Sequence, residues 1–192
     1  MLRWMVPCAL GLLPVGAGAD PALVVLEPSI RYQTLLGYGQ GNMDQANPGW
    51  FTELSAEGRE EFLDRLYTLQ GDGLGLNICR TYLCAGDAPG HAHWYRNAGG
   101  SRSPAPFSPE PGQWSWDGRE PSLWHPQGAA RRGATMVAFA NGPPWWMTVS
   151  GCTSGAAGGT SNLREGMEDE FVSYICEILK HYRDSWGIDF ER

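Results

Sequence analysis

Two hydrophobic periods alternate along the chain. Phe62, Leu66 and Leu69 recur at i, i+4 and i+7 behind Ser55 as an N-cap, with Glu60 and Glu61 in the early turns. This predicts an amphipathic helix closed by Gly71-Asp72-Gly73. Over 74–83 the period drops to two, with Leu74, Leu76 and Ile78 alternating, which predicts a strand. The switch then repeats. Residues 121–132 carry a weak helical pattern opposed by Pro126 and Gly128. Residues 135–140 form an apolar strand. A strong helix follows over 166–185, with Phe171, Ile175, Ile178 and Tyr182 on one face and Gly187 as its stop. Ile188-Asp189-Phe190 begins one more strand. Upstream, Val24-Val25-Leu26 and residues 31–38 read as extended segments. Strands alternating with helices predict parallel βαβ units in an α/β fold, with the site in loops at the carboxyl ends of the strands.

The segments between these elements differ in character. Residues 1–19 carry Arg3, an apolar run broken by Pro7 and Pro14, and Ala17-Gly18-Ala19 before Asp20. This is the pattern of a secretory signal peptide, and the apolar run is shorter than the ~20 residues a membrane span needs. The expected locale is therefore extracellular, with no membrane association after the signal is removed. Residues 84–120 show no period and are rich in Gly, Pro and Ser, yet Trp94, Tyr95, Trp114 and Trp116 argue for an ordered, functional loop. In an oxidising compartment Cys79, Cys84, Cys152 and Cys176 allow three complete pairings. Cys84 and Cys152 both fall in loops after strands, so a disulfide between them is one arrangement to test. Cys176 is expected as a buried thiol within a helix.

Charge narrows the partners. Lys+Arg 14 against Asp+Glu 21 leaves a net −7, with Lys180 the sole lysine. That excludes a basic nucleic-acid footprint and a polybasic membrane patch. A chain of 192 residues is short of the ~250 of a complete (β/α)8 barrel.

The post-strand loops hold Asn42, Asp44, Trp50, Arg80, Asp87, His91, His93, Trp94, Trp145 and Trp146. Rings for sugar C–H faces, with directional donors and acceptors for hydroxyls, suit a carbohydrate ligand. Competing chemistries are weaker. Gly37-Tyr38-Gly39-Gln40-Gly41 is followed by no helix that would cradle phosphate. His91 and His93 lack a third metal ligand, and there is no Gly-x-Ser-x-Gly elbow. No cofactor and no metal are expected. Asp44 and Asp87 could act as an acid/base pair, but a hydrogen-bonded loop carboxylate is the commoner role for each.

LLGYGQGNMD (35–44), GLGLNICRTYL (73–83), Gly86-Asp87, FANGPPWWM (139–147), SGCTSG (150–155) and GIDF (187–190) occur in an order that resembles glycoside hydrolase family 30, most of all its endo-β-1,6-galactanase-type members. The resemblance implies a (β/α)8 barrel with a side β-sandwich and retaining hydrolysis of β-glycosides. It implies that Arg80 braces the catalytic nucleophile, that Asp87 binds hydroxyls in the cleaved-bond subsite, and that Trp145 walls that subsite. Asp44 is a looser match in the loop after the first strand. By the same resemblance the chain is an incomplete barrel of about the first three to four βα units. Residues 1–19 are the signal peptide, 20–30 a strand segment lent to the sandwich, and 31–192 the partial barrel. The family's acid/base Glu stands in an Asn-Glu-Pro motif and its nucleophile on a later strand. Glu191 has neither neighbour, so both catalytic carboxylates lack a match and no hydrolysis is expected of these residues alone. The alternative is a non-catalytic secreted carbohydrate-binding protein.

Overall fold

The computed structural model describes residues 24–25, 27–41, 53–90, 106–140, 142–153 and 155–191. Residues 1–19, for which a signal peptide is expected, and Asn42, Asp44, Trp50, His91, His93 and Trp94 lie outside them. The chain divides into two units, Met1–Leu35 and Leu36–Arg192. In the first, Val24 and Val25 are exposed and outside any strand, so the strand expected over 24–26 is not formed at its two described positions. A turn at Pro28-Ser29 is held by Ile30 N–H on the Glu27 carbonyl, and the Ser29 hydroxyl caps the Glu27 carboxylate at 2.7 Å.

The second unit runs β1 (Gly39–Gly41), α1 (Ala56–Tyr67), β2 (Ile78–Tyr82), α2 (Trp124–Arg131), β3 (Thr135–Phe139) and α3 (Glu168–Trp186). The strands form one parallel sheet in the order β1-β2-β3, with Gly41 opposite Arg80 and Arg80 opposite Val137. This is the expected α/β arrangement. The extended run expected over 31–38 is not a strand; β1 begins only after it, at Gly39. Just ahead of β1 the Asn77 side chain takes backbone groups in place of a strand partner: its Oδ1 accepts from Tyr38 N–H at 3.0 Å and its Nδ2 donates to Leu36 O at 3.0 Å. Gly37, at φ +152°, has no room for a Cβ because the Asn77 side chain occupies that space.

Helix α1 begins as predicted, with Ser55 Oγ accepting from Gly58 N–H at 3.1 Å. Its core face is shifted by one residue. Leu63 and Tyr67 are buried, Phe62 and Leu66 are half-buried, and Leu69 is 84% exposed. The helix ends at Tyr67, where Thr68 Oγ1 donates to Asp64 O, so Leu69 has already left the helical register. The chain then folds back, with Leu74 and Leu76 amides bonded to Arg65 and Leu66 carbonyls. The strand expected from 74 therefore starts at Ile78.

Pro126 and Gly128 do not prevent α2. Pro126 is the third helical residue, where its missing N–H has no partner to lose. Gly128 faces α1, and a Cβ there would overlap the fully buried Leu63 side chain, 2.9 Å from its Cδ2. The glycine that weakens the helical pattern lets two helices approach.

Helix α3 carries Glu168, Asp169 and Glu170 in its first turn, favourable at the positive end of the helix dipole, and ends at Gly187 with φ +67°. Its buried stripe is Tyr174, Ile178 and Tyr182. Cys176 sits about 200° round the helix from Tyr174 and is exposed, contrary to the expectation of burial. Residues 188–190 are not a strand, although Ile188 is fully buried and Glu191 N–H bonds Met136 O of β3 at 3.2 Å.

The aperiodic 84–120 segment is ordered where described. Phe107 enters the core. Near-parallel rings run His181, Trp116, Trp114, Tyr174 and Phe171, joining the segment to one face of α3. Arg119 is also buried, donating to Tyr182 Oη (2.9 Å), Ser122 Oγ (2.9 Å) and Thr81 Oγ1 (2.6 Å). Its hydrogen bonds join α3 to β2 through a charged group that sequence periodicity did not reveal.

Gly128→Ala should destabilise the fold by about 1–3 kcal/mol through overpacking against Leu63, outweighing the ~1 kcal/mol of helix propensity it gains. Urea denaturation followed by circular dichroism measures this, and a stabilised variant would contradict the packing. Arg119→Met should cost about 2–4 kcal/mol on the same assay, because it strips hydrogen bonds from three buried hydroxyls.

Candidate functional site

Strand alternation sorts β2 into two faces. Cys79 and Thr81 turn to the helices: Cys79 Sγ takes Gln40 Nε2 at 3.1 Å, and Thr81 takes Arg119. Arg80 and Tyr82 occupy the other face, where the Tyr82 and Phe139 rings meet at 5.9 Å. The Arg80 guanidinium lies 4.2 Å from the Phe139 ring centroid on β3. On the β1 side, a Cβ at Gly41 would stand 2.7 Å from Arg80 Nε and 2.8 Å from Nη2. The absent side chain at 41 thus gives the guanidinium its bed across three strands. Arg80 is exposed, and among the described residues no carboxylate pairs with it.

The loop after β2 is aimed by Gly86, which takes φ +69° and lies so close to Pro106 that a Cβ would fall 2.5 Å from its Cδ. Asp87 follows and is half-buried. Its Oδ1 accepts from Thr153 N–H at 3.0 Å and from Thr153 Oγ1 at 3.3 Å, while Ala88 N–H bonds Gly151 O at 2.9 Å. The loops after β2 and β3 are therefore tied through SGCTSG. Asn162 braces that segment from behind, with Nδ2 on Cys152 O (2.7 Å) and Oδ1 accepting from Ser150 N–H (3.1 Å).

Trp145 and Trp146 begin a short 3-10 turn after two prolines. Their indole N–H groups donate to consecutive carbonyls of the long loop, Trp145 to Pro109 O at 3.0 Å and Trp146 to Ser108 O at 3.1 Å. Both rings remain half-buried. Tyr174 Oη donates to Cys84 O beneath the site, and burial, with smaller contributions from Cys84, Tyr82 and Tyr182, pushes the Tyr174 phenol far above its ordinary value. It stays protonated as a structural donor. Burial also holds the His181 imidazole, stacked on Trp116 at 3.8 Å, below its ordinary value.

The disulfide considered between Cys84 and Cys152 is not formed. Both are buried thiols, Cys84 Sγ near Tyr82 O and Cys152 Sγ 3.4 Å from Ser150 Oγ.

Of the expected site residues, Arg80, Asp87 and Trp145 are set at the carboxyl ends of β2 and β3 or in the loops that leave them, and Asp44 lies outside the described residues. The sequence reading did not single out Thr153, Asn162 or the 108–109 carbonyls. Thr153 carried a signal, being inside the SGCTSG motif. Asn162 carried none, and the carbonyls are backbone atoms. Together the residues offer a cationic donor, a positioned acceptor and an indole, the set a neutral sugar ring requires. Among the described residues no three His, Cys, Asp or Glu side chains group as a metal site, and no helix is long and apolar enough to cross a membrane.

In a parallel α/β sheet, side chains in the loops at the carboxyl edge are where a site is built. The pattern of O-glycosyl hydrolase family 30 matches residues 63–192, and the chain belongs to that family. It is 30% identical over 88 residues to an endo-β-1,6-galactanase of Hypocrea rufa, covering 45% of this chain and 18% of that protein. Its fold is shared with a conserved exported protein from Bacteroides fragilis (TM-score 0.64, 21% identity, 83% of this chain and 33% of that one). It is shared too with the catalytic domain of GH30 xylanase C from Talaromyces cellulolyticus (TM-score 0.57, 22% identity, 83% and 36%). The chain thus spans about a fifth of the curated relative and about a third of these structures.

Asp87→Ala should free the Thr153 amide and raise its hydrogen-exchange rate, and those of its neighbours at 151 and 152, about tenfold, as expected from losing a hydrogen bond to a charged group worth about 1.5 kcal/mol. Unchanged exchange there would show that the carboxylate does not tie the loops.

Proposed function

We propose that this chain carries the sugar-holding side of a secreted family 30 cleft whose complete form hydrolyses β-linked glycans with retention, β-1,6-galactan foremost. In this reading β1–β3 are the opening strands of a (β/α)8 barrel, and residues 20–30 belong to its side β-sandwich. The observation that carries it is the seat of Arg80. An exposed guanidinium held between Gly41 and Phe139, with no carboxylate on it among the described residues, is a ready partner for an acidic group supplied from elsewhere in a barrel. Asp87 then accepts sugar hydroxyls and Trp145 walls the ring. The H. rufa relative is named for β-1,6-galactan, which motivates that glycan as the first ligand.

Retaining hydrolysis needs two carboxyl groups about 5–5.5 Å apart. Asp87 is committed to Thr153 and acts as a positioner rather than an acid. Glu191 stands in no Asn-Glu-Pro setting. The chain on its own should therefore bind without cleaving.

Titration calorimetry with β-1,6-galactotriose should show binding that weakens at least tenfold in both Asp87→Ala and Trp145→Ala, while a reducing-sugar assay stays at background. Hydrolysis by the purified chain that Asp87→Asn abolishes would refute the division of labour. Equal affinity in wild type and both variants would refute the site.

A further inference from the structure

We propose a second glycan-binding site in the cavity between the 106–116 loop and the start of α3. The proposal rests on the sugar-binding reading above and extends it. The cavity measures about 220 Å³. That is below the ~300–1,000 Å³ of pockets that enclose drug-sized ligands, and it suits a single pyranose ring. Its inner wall is aromatic: Trp146 stands outside the ring stack, while Trp114 and the buried Tyr174, stacked on each other at 5.7 Å, back the wall. The Trp146 indole N–H is already spent on Ser108 O, so the cavity meets its ring. The outer rim is polar. Asp169, Glu170, Ser173 and Glu177 lie along one side of the first three turns of α3, and all are exposed.

This combination defines the ligand class. The Trp146 ring on one side receives the C–H face of a sugar, and carboxylates opposite accept its hydroxyl protons in charge-assisted bonds. One Glu177 oxygen holds Lys180 at 2.6 Å, but Lys180 itself is not in the lining, and no Arg or Lys among the described residues lines the cavity. A neutral hexose is accepted there and a uronate is repelled by like charge. The glycine at 112, φ +73°, adds no side chain to the cavity between Ser108 and Trp114.

The cavity is mechanically joined to the first site. Trp145 and Trp146 are consecutive, and their N–H groups grip consecutive carbonyls, so the ring of one site and the ring of the other share a single 3-10 turn. A glycan chain long enough to pass the turn would engage both.

Titration calorimetry of the whole chain with β-1,6-galactotriose tests this. The expected stoichiometry is two in wild type and one in Ser173→Trp, which fills the cavity, with the stronger site retained within twofold. Glu177→Gln, which removes a rim charge without adding bulk, should weaken only the second site, about threefold to tenfold, and serves if the tryptophan variant misfolds. A trisaccharide bearing a terminal glucuronate should bind only once. A stoichiometry of one that Asp87→Ala abolishes and neither Ser173→Trp nor Glu177→Gln alters would overturn the second site and leave the first intact. Binding lost in Ser173→Trp and Glu177→Gln but untouched by Asp87→Ala would support the cavity and overturn the first site. No binding at all would overturn both.

Discussion

Two indole N–H bonds organise this molecule. Trp145 and Trp146 grip the carbonyls of Pro109 and Ser108, and through them a long aperiodic crossover is seated on the sheet. Ordering the described part of that segment, 106–120, costs backbone entropy of about 1–2 kcal/mol per residue, and isolated hydrogen bonds would not offset it. The run of rings from His181 to Phe171 adds the apolar burial that does. Once the loop is seated, Phe107 closes the core, Arg119 reaches Tyr182 and Thr81, and Gly86 can turn the chain beneath Pro106. Asp87, next to Gly86, is then held by Thr153.

The sheet contributes by leaving space. Gly41 and Gly128 are both places where a neighbour occupies the volume of an absent Cβ, the Arg80 guanidinium in one case and Leu63 in the other. One gives the site its cation and the other sets the spacing of the helices behind it. The two faces of β2 keep these roles apart, with helix packing at Cys79 and Thr81 and site chemistry at Arg80.

Much of this was legible in the residues. The alternation of periods placed α1, β2, β3 and α3, and the caps at Ser55 and Gly187 are where the pattern put them. Ordered motifs identified the family and drew attention to Arg80, Asp87 and Trp145. What escaped was non-local. The shift of the α1 face to Leu63 and Tyr67 depends on where Thr68 stops the helix. The absence of a strand over 31–38 goes with an Asn side chain 39 positions from Tyr38, which takes the backbone groups at 36 and 38. Gly128 read as a helix breaker because propensity knows nothing of Leu63. Cys176 read as buried because periodicity alone did not identify Tyr174 as the centre of the α3 core face. Backbone carbonyls and Asn162 leave no mark in composition, although they hold the site loops.

The outward turn of Cys176 has a practical corollary. Cys79, Cys84 and Cys152 are shielded, so among the described residues it is the one thiol open to a bulky maleimide. It adjoins Glu177 on the rim of the α3 cavity. A fluorophore attached there would sit at the mouth of that hollow without a single engineered mutation, giving the native chain a built-in optical reporter.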